Sequence, residues 1–337
     1  MKILLSSHFF APSVGGIETV SEILAREFVQ AGHDVTVVTQ TKADDGTRFP
    51  FAVYRQPGPG ELLRLVAKCD VYFHNNISLR SAWPLLLKRR PWVVAHHTWI
   101  MRVDGRVGWR DRLKQLVVRR ARNIAVSEAL RAQIAAPAVI IGNPYRDDLF
   151  RCDPGAARDR ELIFVGRLGY EKGLDLLFHS LALIRPRGLA PRLTVVGEGP
   201  EETALRALSV QLKLEDQITF AGKKTGSDLV SLLNRHRIIV VPSRLQEPFG
   251  LVALEGLACG CVALVANCGG LPDAVGKAGV VFRHEDREDA AARIEELLDP
   301  RTDLNVYRSA ARSHLAGHSA RTVAAKYLGV MEEAMRR

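Results

Sequence analysis

Two glutamates eight positions apart, Glu247 and Glu255, stand in the segment VPSRLQEPFGLVALEGLACG. Carboxylates accept hydrogen bonds from paired hydroxyls, which suits a ribose or a hexose. A strand is expected to end near Val241, where Pro242 stops the ladder, and the chain turns through Arg244 to Pro248 before a helix that begins near Gly250. The amides of Phe249, Gly250 and Leu251 would then be first-turn donors at the positive end of a helix dipole, a seat for phosphate or sugar oxygens.

A second constellation is FVGRLGYEKGLD. Arg167 follows a strand end and Gly166, and Lys172 sits five residues on in a turn closed by Gly173, so the two cations can converge on a diphosphate. Nearer the start, Gly15 and Gly16 lie between the first strand and the first helix, where backbone can approach a ligand closely. His96 and His97 end the strand WVVAHH; a histidine there is either a structural hydrogen-bonder or a substrate contact, and the pair leaves open which of the two would face a ligand.

These residues need a scaffold that brings strand ends together. Short apolar runs alternate with helical patterns from end to end, the signature of parallel sheets flanked by helices. One series runs through KILLSS, a helix from about Ile17 to Gln30, HDVTVVTQ, DVYFH, WVVAHH, NIAVS and AVIIGNP, which makes a first domain of residues 1–143. A polar stretch broken by Pro144, Pro154 and Gly155 reads as a linker over 144–160. A second series, LIFVG, RLTVVGEGP, QITFAG, RIIVVPS, CVALVANCGG and GVVFR, fills 161–318. A last helix over about 319–337 carries Val323, Tyr327, Val330, Met331 and Ala334 at helical spacing. Ligands of such sheets bind at the carboxyl ends of the strands, so the two domains are expected to face each other across a cleft.

The 337 residues and 47% apolar content fit a two-domain globular chain, with mean hydropathy at −0.01. No apolar run reaches the roughly 18 residues of a membrane span, nor does the start resemble a secretory leader, so a cytoplasmic location is expected. Five cysteines without a CxxC or zinc-ligand spacing read as buried hydrophobes in a reducing compartment, and no metal site is expected. Neither the Gly15 pair nor GEGPEE fits GxGxxG, which argues against a nicotinamide dehydrogenase. The formal charge of +10 is local. Residues 88–122 hold eleven basic side chains (Lys88, Arg89, Arg90, Arg102, Arg106, Arg110, Arg112, Lys114, Arg119, Arg120, Arg122) and two acids, Asp104 and Asp111. A helix there would put Trp109, Leu113, Leu116 and Val117 on one side, with Arg120 intruding. This is either a basic amphipathic helix on an anionic membrane or a solvated helix with an ordinary core face. No nucleic-acid motif accompanies the charge, and no nucleic-acid partner is expected.

The motifs GGIE, GRLGYEKG, VVGEGP, VPSRLQEPFGLVALEGLACG and ANCGGLPDAV, in this order, resemble the retaining nucleotide-sugar glycosyltransferases of family 4, which have the GT-B fold. The resemblance runs nearly the whole chain, is more specific in the second domain, and includes the family's E-x7-E element as Glu247 and Glu255. It implies two Rossmann-like domains, a C-terminal helix crossing back onto the first, and a UDP-sugar or GDP-sugar donor bound by the second without a required metal. By the same resemblance Arg167 and Lys172 neutralise the donor diphosphate, and Glu255 holds the ribose. Glu247 holds the transferred sugar, while the amides of Phe249, Gly250, Leu251 and Val252 contribute to sugar and phosphate. Gly16 resembles the glycine whose backbone meets the phosphate, and His97 the first-domain histidine near the reacting carbon. The implied reaction moves a hexose to a hydroxyl acceptor with retention, in cell-envelope polysaccharide, lipopolysaccharide or glycolipid synthesis. The local positive charge over 88–122 leads to the expectation of a lipid-linked or envelope-glycan acceptor. A sugar-nucleotide 2-epimerase or a non-catalytic sugar-nucleotide-binding protein of the same fold is the alternative.

Overall fold

The computed structural model describes residues 1–13, 15–42, 46–100 and 108–336. The chain divides into two compact units, Met1–Pro144 with His318–Arg337, and Tyr145–Gly317. Both are parallel α/β layers, the class expected from the alternating apolar runs.

In the first unit the strands are β1 (Lys2–Ser7), β2 (Asp34–Thr39), β3 (Ala52–Arg55), β4 (Val71–Asn75), β5 (Trp92–His96), β6 (Arg122–Ala125) and β7 (Ala138–Ile140). They are ordered β3-β2-β1-β4-β5-β6-β7 and every pairing is parallel. The helices α1 (Gly16–Gln30), α2 (Pro59–Lys68), α3 (Leu79–Ala82), α4 (Trp109–Val117) and α5 (Glu128–Arg131) connect them. β4 and β5 are buried at every residue, because helices cover both faces of the sheet. α1 buries Val20, Ile23, Leu24 and Phe28, the three-and-four spacing that turns one stripe inward.

The second unit holds β8 (Arg160–Val165), β9 (Leu193–Val196), β10 (Ile218–Phe220), β11 (His236–Val241), β12 (Val262–Ala266) and β13 (Gly279–Phe282), in the order β10-β9-β8-β11-β12-β13, again all parallel. Its helices are α6 (Leu174–Ile184), α7 (Glu202–Gln211), α8 (Gly226–Arg235), α9 (Leu251–Ala258), α10 (Leu271–Val275), α11 (Arg287–Leu298) and α12 (Asn305–Ala316). The polar stretch read as a linker is fastened to this unit. Asp153 N donates to Asn234 Oδ1 at 2.7 Å, and the Arg158 guanidinium donates to the carbonyls of His236 and Cys259 at 3.0 and 2.6 Å.

The last helix, α13 (Ala320–Met335), belongs to the first unit. It buries Val323, Ala324, Tyr327, Met331 and Ala334, and the Tyr327 ring meets Phe73 of β4 edge to face at 5.6 Å between centroids. Such a pair contributes about 0.5–1.5 kcal/mol beyond the area it buries. In each sheet the strand order reverses once, beside β1 and β4 in the first and beside β8 and β11 in the second, and ligands of such sheets bind outside the carboxyl ends of the strands at these points.

Candidate functional site

At the switch point of the second sheet the loops after β8 and β11 lie against each other. Gly173 has φ +66, and a Cβ there would stand 2.1 Å from the Pro242 carbonyl oxygen, so no other residue admits this approach. The amides of Arg244 and Leu245 donate to the Glu171 carbonyl at 2.9 and 3.3 Å, joining the loops backbone to backbone. Lys172 and Glu247, 75 residues apart, are thereby brought into an ion pair through Nζ and Oε1. The Ser243 hydroxyl donates to the same Oε1 at 3.0 Å. The Gly270 amide donates to the Glu247 carbonyl at 2.7 Å, which fixes the loop from its other side. Arg167 projects from the same turn, its side chain 67% exposed and its Nε 3.6 Å from Glu171 Oε1. Gly166 donates its amide to the Val196 carbonyl at 3.0 Å, which carries the turn across to β9.

The helix after this loop begins where the spacing of the glutamates expects it. α9 starts at Leu251, with Gly250 as its N-cap at φ +121. A Cβ on Gly250 would also lie 2.6 Å from Leu271 Cδ2, so both the backbone and the packing demand glycine. Leu251 and Val252 open the first turn, half-buried, and the Phe249 side chain is buried beneath it. Glu255 lies on this helix, half-buried, with no hydrogen bond or ion pair to another described side chain. Loss of water pushes its carboxyl up to about 7. A carboxylate held this way gains most from hydroxyl donors that the protein does not itself provide.

The corresponding ends of the first sheet carry neutral groups. His97 follows β5, is buried, and its Nε2 meets Asn75 Oδ1 at 2.6 Å. Asn75 Nδ2 faces Ser21 Oγ of α1 at 2.6 Å and the Ile17 carbonyl at 3.5 Å, and Ser21 Oγ meets Ser7 Oγ of β1 at 2.8 Å. A carbonyl only accepts, so the amide nitrogen lies on the Ile17 side and His97 carries its proton on Nε2. Burial, with His96 alongside, lowers His97 to about 3, and the ring stays neutral. His96 is buried too: its Nε2 meets Asn123 Oδ1 at 2.9 Å, its Nδ1 has no partner among the described residues, and burial lowers it to about 4. Gly16 is the first residue of α1, behind the extended N-cap Gly15. Beside this relay opens a cavity of about 870 Å³ bordered by Asn75 of β4, by the turns after β1, β4 and β5, and by residues of α1, α3 and α4. Asn75 borders it and both histidines lie behind its wall.

The pattern described as Glycosyltransferase Family 4 matches residues 14–144 and that described as Glycosyl transferases group 1 matches residues 148–314, one for each unit and in the family's order. The chain belongs to the family 4, group 1 glycosyltransferases. Within this family it is 36% identical over 157 residues to the glycogen synthase of Mycobacterium tuberculosis, covering 46% of this chain and 38% of that protein. It is also 36% identical over 166 residues to the D-inositol 3-phosphate glycosyltransferase of Pseudarthrobacter chlorophenolicus, 47% of this chain and 39% of that one. The matched segment thus spans about two fifths of each of these curated relatives. Among solved GT-B structures, HepE of Anabaena in complex with UDP superposes with a TM-score of 0.81 at 20% identity, over 99% of this chain and 100% of that one.

Within this member of the family, the sequence marks Arg244 only as a point on the turn. Its guanidinium grips Asp175 of α6 with two bonds of 2.8 and 2.7 Å, reaches Glu285 at 3.2 Å and covers the Tyr170 ring at 4.6 Å. Arg244 therefore clamps the two loops that carry Lys172 and Glu247. The basic stretch also needs correction. α4 stops at Val117 and a tighter turn covers Val118–Arg120, so Arg120 lies beyond the α-helix and is exposed. Trp109, Leu113 and Leu116 are 70, 38 and 59% exposed, and Val117 alone of the four leans on the core. Arg90 is spent on the carbonyls of Val66 and Ala67, and Arg122 opens β6 with a buried Nε. Arg102, Asp104 and Arg106 lie outside the described residues. Among the described residues no cluster of three His, Cys, Asp or Glu could hold a metal, and no helix is long and apolar enough to cross a membrane.

Proposed function

We propose that this chain transfers a hexose from a nucleoside-diphosphate sugar to a hydroxyl acceptor with retention of configuration and without a metal. The observation that carries this reading is the Lys172–Glu247 pair at the switch point, in the loop that leads into the helix bearing the half-buried Glu255, which has no partner among the described side chains. A diphosphate would draw the Lys172 ammonium toward itself, and with Arg167 and the first-turn amides at Gly250, Leu251 and Val252 it would receive positive charge where negative charge grows as the sugar leaves. Glu247, freed from the lysine, would accept from sugar hydroxyls, and Glu255 from the ribose. Gly16 and His97 belong to the acceptor half of this reading, His97 as a neutral hydrogen-bonding group. Because HepE is known with UDP and with UDP-glucose, a UDP-sugar is the first donor to test.

The acceptor is expected among cell-envelope polysaccharides, lipopolysaccharides or glycolipids. Exposed Trp109, Leu113 and Leu116 beside Arg110, Arg112 and Lys114 support peripheral contact with an anionic membrane from the cytoplasmic side. A nucleotide-sugar panel read by thermal shift, with and without a chelator, tests the donor claim. A ligand at a hundred times its dissociation constant adds about 2.7 kcal/mol of stability. A chelator-insensitive shift with one UDP-sugar or GDP-sugar, followed by a product whose anomeric proton coupling matches the donor, is expected. No shift with any donor would overturn the reading.

A further inference from the structure

The cavity of the first unit sits over the carboxyl ends of β1, β4 and β5, where the strand order of that sheet reverses. Among the described residues three cations border it, Arg80, Arg110 and Lys114, against one carboxylate, Asp111. That carboxylate is already engaged, since Asp111 is buried and its Oδ2 accepts from the Gly108 amide at 3.0 Å at the start of α4. Arg80 and Lys114 form no ion pair with any described residue, and Arg110 lies over the Trp109 ring at 5.2 Å instead of a carboxylate. The Arg80 charge is felt within the cavity wall, because it adds to burial in lowering His8. Arg80 and Arg110 are exposed and Lys114 is half-buried, so these side chains put positive charge on the rim of the cavity, a field that attracts an anion.

The remaining border has two other characters. Asn76, Ser78 and Thr98 are polar, and Asn76 donates through Nδ2 to Thr98 Oγ1 at 2.9 Å while its own backbone takes φ +83. A non-glycine residue at positive φ is a strained conformation that the surrounding structure holds in place, a feature that concentrates at ligand sites. The other border is apolar and uncovered: Phe9 is 50% exposed, Trp109 70% and Leu113 38%. One ligand satisfies all three borders.

We propose that this cavity binds an acceptor that carries a phosphate monoester or diester on an apolar body, with Arg80 and Lys114 on the phosphate, Asn76 and Thr98 on its hydroxyls, and Phe9, Trp109 and Leu113 on the apolar part. Calling the ligand an acceptor rests on the transferase reading above; binding of the phosphate does not. A fork-shaped guanidinium takes two phosphate oxygens and the ammonium supplies a point charge, so the pair suits a tetrahedral anion better than a planar neutral sugar.

Calorimetric titration of the full chain at about 150 mM salt, where loose surface attraction is screened, tests this without any donor present. The probes are decyl phosphate below its micelle concentration, glycerol 3-phosphate and decyl glucoside. Decyl phosphate is expected to bind at least tenfold tighter than decyl glucoside, and an R80A/K114A variant to lose at least tenfold. The UDP-induced thermal shift of that variant is expected to be unchanged, which shows that it is folded and that the second unit is intact. A tenfold advantage of decyl phosphate over glycerol 3-phosphate supports the apolar body; glycerol 3-phosphate matching decyl phosphate would overturn that part and leave only the phosphate contact. Equal binding of decyl glucoside, no binding of either phosphate, or undiminished affinity in the variant overturns the proposal. A failed donor panel alongside successful phosphate binding would sink the transferase reading and leave this site standing.

Discussion

The two sheets end in different chemistry at the same topological position. Where β8 and β11 part, an ammonium, a guanidinium and two carboxylates line facing loops, and Lys172 and Glu247 neutralise each other. Where β1 and β4 part, the relay Ser7, Ser21, Asn75 and His97 is uncharged, and the free charge stands further out on Arg80 and Lys114. The first arrangement can exchange one partner for another as a charged ligand arrives. The second fixes the roles of Asn75 and His97, while either serine hydroxyl can donate to the other, and a buried neutral network of this sort loses its value if any member is removed.

Acid should separate the units most strongly. His74, His96 and His97 of the first unit are lowered by burial to about 3, 4 and 3. Histidines so lowered contribute stability that is present above the ordinary value of 6.5 and lost as pH falls toward 4, on the order of 2 kcal/mol for each at pH 5. The second unit has one such histidine, His236, lowered to about 4, and Glu255 acts in the opposite sense. With its carboxyl raised to about 7, the Glu255 contribution is present below its ordinary value and lost as pH rises through 7. Calorimetric scans from pH 7 to pH 5 should therefore show the first unit's transition moving down while the second barely moves. Equal displacement of both transitions would remove the contrast.

Lys172→Ala tests the charged end. It is expected to lower transfer by about a thousandfold, roughly 4 kcal/mol, with little change in melting temperature, because it removes charge at the leaving group and little packing. Arg167→Ala, an exposed side chain, should cost no more than about tenfold in the same initial-rate assay. Normal turnover by Lys172→Ala would refute the assignment. At the neutral end, Asn75→Leu leaves His97 Nε2 and Ser21 Oγ without their partner, an expected loss of about 1–3 kcal/mol in denaturant unfolding. The nitrogen chemical shifts of His97 would report the tautomer, and no change in them on this substitution would mean that Asn75 does not set it.

What could be read from the sequence follows the same division. β4 and β5 are buried on both faces and therefore carry unbroken apolar runs, whereas β3, a short edge strand with half-exposed side chains, left no run and was not expected. Glu247, Arg167 and Lys172 stood out because each sits beside glycine or proline after a strand, and Glu255 because it follows Glu247 by eight positions on the next helix. Their pairing did not, since Lys172 and Glu247 meet only when two βα loops are packed together. Arg244 gave still less signal, its partners Asp175 and Glu285 lying 69 and 41 positions away. The serine and asparagine of the neutral relay are ordinary residues in ordinary places, and only three-dimensional adjacency gives them a role. Trp109, Leu113 and Leu116 share a helix side that the sequence leaves open between a core face and a membrane face, and their exposure is a tertiary fact.

The helix that seats Tyr327 beneath Phe73 imposes an order on biosynthesis. A growing chain can finish the second sheet and its helices while the first still lacks its last layer, so nascent Phe73 and its neighbours must wait, uncovered, for some two hundred and fifty further residues to leave the ribosome. Early release or pausing just before α13 would thus expose an apolar sheet face to chaperones and to other nascent chains, and the half made first would be the half completed last.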